Sequence, residues 1–357
     1  MSMLPPSIQD ITADWLTVVL GERRLLKTSV TGVKIEPIGA GVGLMGELGR
    51  LQLTYAGEEE LPSSIVAKCA AQNENRQIAQ VLDFYTREAD FYNRLASDCP
   101  LRVPVSFYAD VNPASYDFIL LMEDLGEVSV RDQLVGAARE EVFSAVKCIA
   151  GMHARWWGIS AEAYPWMYEH MSEAEGEKLK TMLYMPALEP TIENFAHLLD
   201  AEAKQICRTV GDRYVDCWGQ LSSPDTFVHG DYRQDNMLYS AGQTDALVMD
   251  WQISGRGKGA FDVAYFMCQS VDSALRAEIE EDVLEYYVET LAEANIHYAL
   301  DDCREDYRRA ILGCMVYPIT VCGTLDTANE RGRALGECML SRNLTAIREL
   351  DCLELLS

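Results

Sequence analysis

The sequence predicts an α+β protein of two lobes, a small N-terminal lobe with an antiparallel sheet plus a helix (residues 1–125) and a larger, mainly helical C-terminal lobe (residues 126–357). Three observations predict it. A chain of 357 residues is long for a single hydrophobic core. Between Ser29 and Met122 apolar residues alternate with polar ones in several short runs, the period of strands. Beyond Met122 the apolar spacing becomes helical and stays so almost to the C-terminus.

Ser7 to Leu20 carries Ile8, Ile11, Trp15, Leu16, Val19 and Leu20 in helical rhythm, with Ser7 as the expected cap. Val33, Ile35, Leu51, Leu53 and Tyr55 then alternate on either side of a run containing Gly41, Gly43 and Gly46. Those glycines spell G-x-G-x-x-G, but a dinucleotide fold needs a helix after them and Leu48 to Tyr55 reads as a strand. A glycine-rich hairpin over nucleotide phosphates, with Gly41 and Gly43 at closest approach, fits better; a plain flexible turn is the alternative.

Ser64 to Ala70 reads as a buried strand carrying one lysine, Lys68, in a V-A-x-K pattern. An ammonium inside an apolar strand needs a partner. Gln77 to Ala96 reads as a helix on which Glu88 sits among Val81, Leu82, Tyr85, Ala89, Tyr92 and Leu95, so a Lys68–Glu88 pair aimed at nucleotide phosphates is expected. Val103–Ala109 and Asp117–Met122 supply two more strands. Val130 to Trp157 reads as a long helix or helix pair, with His153, Trp156 and Trp157 as core packing. Tyr164–Glu173 and Met182–Glu193 are rich in aromatic residues, Met and Pro. After Asp250, Gly255, Gly257 and Gly259 make a mobile or tightly turned loop, Asp262 is placed to cap the next helix, and Arg256 and Lys258 either touch an anion or are solvated. Ser273 to Leu356 is helical.

Composition narrows the function classes. Hydrophobic residues at 48% and charged residues at 24% describe an ordinary globular protein. A net charge of −26 repels phosphate backbones, so neither nucleic acid nor an anionic membrane is expected as a partner. Eleven cysteines without a C-x-x-C pair are expected to be reduced thiols, and no signal peptide is legible in the opening MSMLPPSIQD, so a cytoplasmic protein is expected. The longest uncharged run, Ala310–Leu325, is shorter than the ~20 residues of a bilayer span and reads as a buried helix.

The chemistry concentrates in Phe227-Val228-His229-Gly230-Asp231-Tyr232-Arg233-Gln234-Asp235-Asn236-Met237-Leu238 and Leu247-Val248-Met249-Asp250-Trp251-Gln252. Asn236 follows Asp231 by five positions and Asp250 follows Asn236 by fourteen, the spacing of a kinase catalytic loop and its metal aspartate. A hydroxyl acceptor needs a carboxylate for its proton, and Mg²⁺ needs hard oxygen ligands. Asp231 is the expected base, Asn236 and Asp250 the expected metal ligands, and Arg233, inside the loop, a group that could screen the transferring phosphate. His229 is expected to order the loop.

His-Gly-Asp-x-x-x-x-Asn with a downstream Asp resembles the aminoglycoside phosphotransferase and choline kinase superfamily, of protein-kinase-like fold. HGDYRQDN and MDWQISGRGKGAFDVAYF are similar to the ecdysteroid-kinase-like subgroup, as is the His-Ala-x-x-Trp segment at His153. The resemblance implies ATP and Mg²⁺ as cofactors and a hydroxylated small molecule as acceptor. It also implies a hinge where Glu123 C=O and Leu125 N–H meet the adenine edge, an acceptor pocket in the segment before the loop, and Asp262 bracing the loop backbone. Trp251-Gln252 stand where protein kinases have Phe-Gly, His-Gly-Asp replaces His-Arg-Asp, and no Ala-Pro-Glu element follows, which points away from a protein substrate. A catalytically inactive nucleotide- or small-molecule-binding protein of the same fold and a nucleotidyl transferase are the competing readings. The acceptor's identity and the oligomeric state stay open.

Overall fold

The structure, a computed structural model, describes residues 3–38, 45–73, 75–126, 128–221, 225–240, 246–324 and 330–356. The chain forms two compact units, one of residues 1–128 with 249–253, the other of residues 129–248 with 254–357. It has the α+β organisation that the alternating and helical stretches predict.

The first unit is built on a five-stranded antiparallel sheet: β1 (Val30–Ile38), β2 (Gly46–Tyr55), β3 (Ser64–Ala70), β4 (Ser106–Val111) and β5 (Phe118–Glu123), in the order β1-β2-β3-β5-β4. Period-two alternation divides its residues between two faces. Ile65, Ala67, Cys69, Ile119 and Leu121 join Leu51 and Leu53 in a core with Leu16, Val19 and Leu20 of α1 (Ala13–Glu22). The neighbouring positions Val66, Lys68, Phe118 and Leu120 therefore point the other way. On that face Tyr85 stacks on Phe118 with ring centroids 5.1 Å apart.

Two expected helices are corrected here. Ser7 does not cap α1; it precedes a short 3-10 turn (Ile8–Asp10), and the cap is Thr12, whose Oγ1 accepts from Trp15 N–H at 3.1 Å. The single helix expected over Gln77–Ala96 is two, α2 (Asn75–Val81) and α3 (Phe84–Arg94), separated where Asp83 takes φ +55°. Asp tolerates the left-handed region better than most residues, and no glycine or proline announces the break.

The boundary falls within β6 (Val128–Val130), and helix α4 of the second unit spans Arg139–Arg155. The expected helix from Val130 is thus cut by nine residues. Asp132 accepts from Leu134 N–H through its side chain and from Gly136 N–H through its carbonyl, and Gly136 sits at φ +86°. Next come α5 (Glu173–Leu179), a π-helical turn (Lys180–Tyr184), α6 (Met185–Asn194), α7 (Ala201–Asp212) and α8 (Tyr214–Gly219). Strands β7 (Thr226–Val228), β8 (Met237–Ser240), β9 (Leu247–Val248) and β10 (Gly255–Gly257) frame the motif residues, with β7 paired to β10 and β8 to β9. Helices α9 (Ala260–Ser270), α10 (Ser273–Glu293), α11 (Leu300–Gly313), α12 (Val316–Thr324) and α13 (Glu330–Glu349) complete the unit. No helix of the described residues is long and apolar enough to cross a membrane. All eleven cysteines are free thiols.

The glycines after Asp250 serve close packing. A Cβ at Gly255 would lie 2.6 Å from the Tyr168 carbonyl oxygen and one at Gly257 2.7 Å from Met171 Sδ, so β10 can lie against residues 168–171 only without side chains there.

Candidate active site

In the first unit a buried ammonium sits between two carboxylates. Lys68, in the middle of β3, is 2.8 Å from Glu88 Oε2 on α3 and 2.9 Å from Asp250 Oδ1. The expected Lys68–Glu88 ion pair is therefore present, and Asp250 joins it. Burial alone would lower the Lys68 pKa, but Asp250 and Glu88 outweigh it and hold the ammonium above its ordinary value. Glu88 has a single cation to share with Asp250, and burial pushes its carboxyl up to about 7 against the pull of Lys68. One ammonium thus faces two carboxyl groups, and a further cation beside them would favour ionisation of both.

Asp250 lies at φ +66°, a conformation held by its neighbours. Trp251 stacks on Phe91 of α3 at 3.8 Å with ring planes 6° apart, and Arg87 Nη1 donates to the Ile253 carbonyl at 3.2 Å. The helix that carries Glu88 thus also holds the short segment that carries Asp250. Gly41 and Gly43 lie outside the described residues. Gly46, the last glycine of that run, permits β2 to pass close to Lys68: a Cβ there would be 2.9 Å from the Cys69 carbonyl oxygen and 3.3 Å from Lys68 Cε.

At the end of β5, Glu123 is used locally: its N–H donates to the Val105 carbonyl and its carboxylate accepts from Val105 N–H, each at 2.9 Å. Leu125 follows in irregular, half-buried backbone. Between them Asp124 receives Arg50 Nε at 2.7 Å and Arg50 Nη2 at 3.1 Å, together with Ser64 Oγ and Gly126 N–H. This anchoring of the segment is not evident from the linear sequence, because Arg50 and Asp124 are brought together only by the sheet.

In the second unit β7 delivers the motif loop, which turns at Gly230 (φ +82°) and closes with a 3-10 turn over Gln234–Asn236. Asp231 is bound on both oxygens: Arg233 Nε donates to Oδ1 at 3.0 Å and Asn236 Nδ2 to Oδ2 at 2.8 Å. Asn236 Nδ2 also reaches the Asp231 carbonyl at 2.8 Å. Spending the amide nitrogen on Asp231 reserves the amide oxygen of Asn236 for another partner. Arg233 Nη1 donates to Gln133 Oε1 at 2.9 Å and to Asp235 at 3.1 Å, so the loop arginine is fixed on three sides.

Asp262 does not cap α9, whose cap position is Gly259. From the first turn it accepts from His229 N–H (2.7 Å) and Gly230 N–H (2.9 Å), bracing the loop backbone. His229 Nδ1 accepts from Asp231 N–H at 3.2 Å. Tyr317 Oη donates to the Gly230 carbonyl at 2.9 Å, and the buried Tyr265 hydroxyl lies against Asp231. Neither tyrosine is singled out by sequence reasoning; Tyr265 stands one helical turn beyond Asp262, which could have found it.

Arg256 and Lys258 are neither solvated nor open to an anion. Arg256 pairs with Asp225 at 3.1 Å and Glu169 at 3.3 Å, and Lys258 with Asp306 at 2.6 Å. Burying each charge requires such a partner.

Lys68, Glu88 and Asp250 thus come together in one unit, and Asp231, Arg233 and Asn236 in the other. Among the described residues no group of three or more His, Cys, Asp or Glu is placed to hold a metal ion. Asn236 and Asp250 each offer a hard oxygen donor of the kind Mg²⁺ accepts.

The ecdysteroid kinase-like family model matches residues 41–299. By sequence, no curated protein matches the chain. Solved structures share its fold at low identity. Choline kinase from Cryptosporidium parvum Iowa II is 12% identical with a TM-score of 0.56, over 95% of this chain and 97% of that one. Aminoglycoside 2′-phosphotransferase-IIIa in its GDP complex is 12% identical with a TM-score of 0.51, over 92% and 97%. An amicoumacin kinase in complex with AMP-PNP, Ca²⁺ and its ligand is 14% identical with a TM-score of 0.51, over 93% and 92%.

Proposed function

The chain belongs to the ecdysteroid kinase-like family, and from that premise we propose that it is an ATP- and Mg²⁺-dependent phosphotransferase that moves the γ-phosphate to a hydroxyl of a small molecule. The observation that carries the reading is the buried Lys68 ammonium held at 2.8 Å by Glu88 and at 2.9 Å by Asp250. A cation between two carboxylates can bind phosphate oxygens while keeping one carboxylate as its anchor, leaving the other to a metal.

In this reading Lys68, anchored by Glu88, binds the α- and β-phosphates. Gly41 and Gly43, outside the described residues, are assigned to the phosphates on the glycine-rich pattern alone, and Glu123 C=O and Leu125 N–H to the adenine edge. Asn236 Oδ1 and the Asp250 carboxylate would hold Mg²⁺, which supplies charge neutralisation at the β- and γ-phosphates. Asp231 orients the acceptor hydroxyl and takes its proton. Arg233 and Asn236, one on each oxygen, fix its carboxylate plane in advance, so little reorganisation is left for the transition state. Arg233 adds positive charge beside the oxygen that receives the proton and screens the incoming phosphate. The acceptor pocket is assigned to the aromatic and Met-rich stretch around Tyr164–Glu193. Tyr184 and Met171 are fully buried, whereas Tyr164, Trp166, Tyr168, Met182 and Met185 keep accessible surface and are the candidates for contact with an acceptor.

The test is incubation with MgATP and a panel of sterols, amino alcohols, aminoglycosides and other hydroxylated metabolites, read by mass spectrometry. Gain of one phosphoryl group on a panel member is expected. Gain of a nucleotidyl group, or nucleotide binding without any product, would replace this reading by one of its two competitors.

A further inference from the structure

Behind the motif loop two buried side chains, Tyr287 and His153, extend the bracing made by Asp262. Tyr287 Oη, on α10, is 2.8 Å from His153 Nδ1, on α4. His153 Nε2 is 3.1 Å from Asp262 Oδ2, the oxygen that also accepts from His229 N–H. His153, Asp262 and Tyr287 are all fully buried. The protons can be counted. Asp262 accepts from two backbone N–H groups and takes a third hydrogen bond from His153; in the neutral imidazole this puts the proton on Nε2 and leaves a lone pair on Nδ1. Tyr287 must then be the donor to Nδ1, and burial, which raises its phenol well above the ordinary value, keeps that proton in place.

A second observation is independent of these hydrogen bonds. A Cβ at Gly259, the residue before α9, would stand 2.4 Å from Tyr287 Oη and 2.7 Å from His153 Nδ1. The two side chains therefore occupy the space that any other residue at 259 would need. Thr226 Oγ1 donates to the His153 carbonyl at 2.7 Å and ties the end of α4 to β7, the strand that leads into the loop.

We propose that Tyr287 is a positioning residue: its hydroxyl fixes His153 as an Nε2–H donor, His153 orients the Asp262 carboxylate, and Asp262 grips the His229 and Gly230 amides that set Asp231. Its effect on turnover rests on the phosphotransferase reading; its effect on the loop does not.

The experiment compares Tyr287→Phe with Tyr214→Phe, which removes an equally buried hydroxyl bonded instead to the Gly313 carbonyl. Two quantities are read: amide hydrogen exchange across residues 226–237, and the kinetics of MgATP hydrolysis without an acceptor. In Tyr287→Phe, exchange at His229 and Gly230 should quicken about tenfold, and kcat should fall about tenfold with KM for ATP within about twofold of wild type. Tyr214→Phe should leave both near wild type. Gly259→Ala, which keeps both side chains but forces them apart, should behave like Tyr287→Phe. Unchanged exchange at the two amides would overturn the proposal, as would equal effects of Tyr214→Phe or faster exchange with unaltered kcat. Absence of ATP hydrolysis in the wild type would count against the phosphotransferase reading alone, and the exchange comparison would still decide whether Tyr287 sets the loop.

Discussion

Glu88 carries the clearest pH signature in the molecule. Its carboxyl is pushed from 4.5 to about 7 by burial, so the folded protein holds this proton more tightly than the unfolded chain does. The stabilisation is complete below about pH 4.5 and is lost as pH rises through about 7, a window worth at most roughly 3 kcal/mol. Glu88→Gln cannot ionise, so the melting temperature of wild type relative to this variant should fall between pH 5 and pH 8; a constant difference would mean that Glu88 is ionised throughout. The Lys68–Glu88 pair was legible because an ammonium in an apolar strand demands an acid, and only one acid lies on the apolar face of the next helix. The participation of Asp250 was not: it comes from a segment 182 residues away that packs beside α3.

That segment, residues 249–253, packs on α3 within the first unit. Trp251 is fully buried against Phe91, so Trp251→Ala should cost about 3–5 kcal/mol, lower the melting temperature and speed amide exchange at residues 249–253. A variant that melts like wild type would show that the stack does not hold Asp250. Strands and most helices were readable from periodicity, because burial on one face imposes it. The breaks were less so. Asp83 interrupts a continuous helical pattern with one left-handed residue, and the turn at Asp132–Gly136 delays α4 although the apolar spacing continues through it. The glycines at 255 and 257 look like flexibility in the sequence and prove to be close-packed strand, since the neighbours that forbid side chains there are remote in the chain.

At the scale of the molecule, each of the two units is discontinuous, and residues 249–253 cross from one to the other and back. A fragment ending at residue 128 lacks Asp250 and Trp251, exposes the ring of Phe91, and leaves Lys68 with Glu88 alone. It should fail to show the cooperative melting of the full chain, and a melt at the full-length temperature would contradict the assigned unit. With a net charge of −26, any anionic ligand meets an unfavourable global field, so the nucleotide binding proposed above would depend on local groups such as Lys68. Family and fold were legible because the motif residues lie in two short runs, 227–238 and 247–252. The acceptor was not, because the stretches proposed for it, Tyr164–Glu173 and Met182–Glu193, fold partly into core and leave little pattern. The most direct measurement is phosphoryl transfer by Asp231→Asn. With an acceptor found from the panel, this variant should bind MgATP as wild type does, by thermal shift, while kcat falls by at least about a hundredfold; turnover close to wild type would place the base elsewhere and contradict the account.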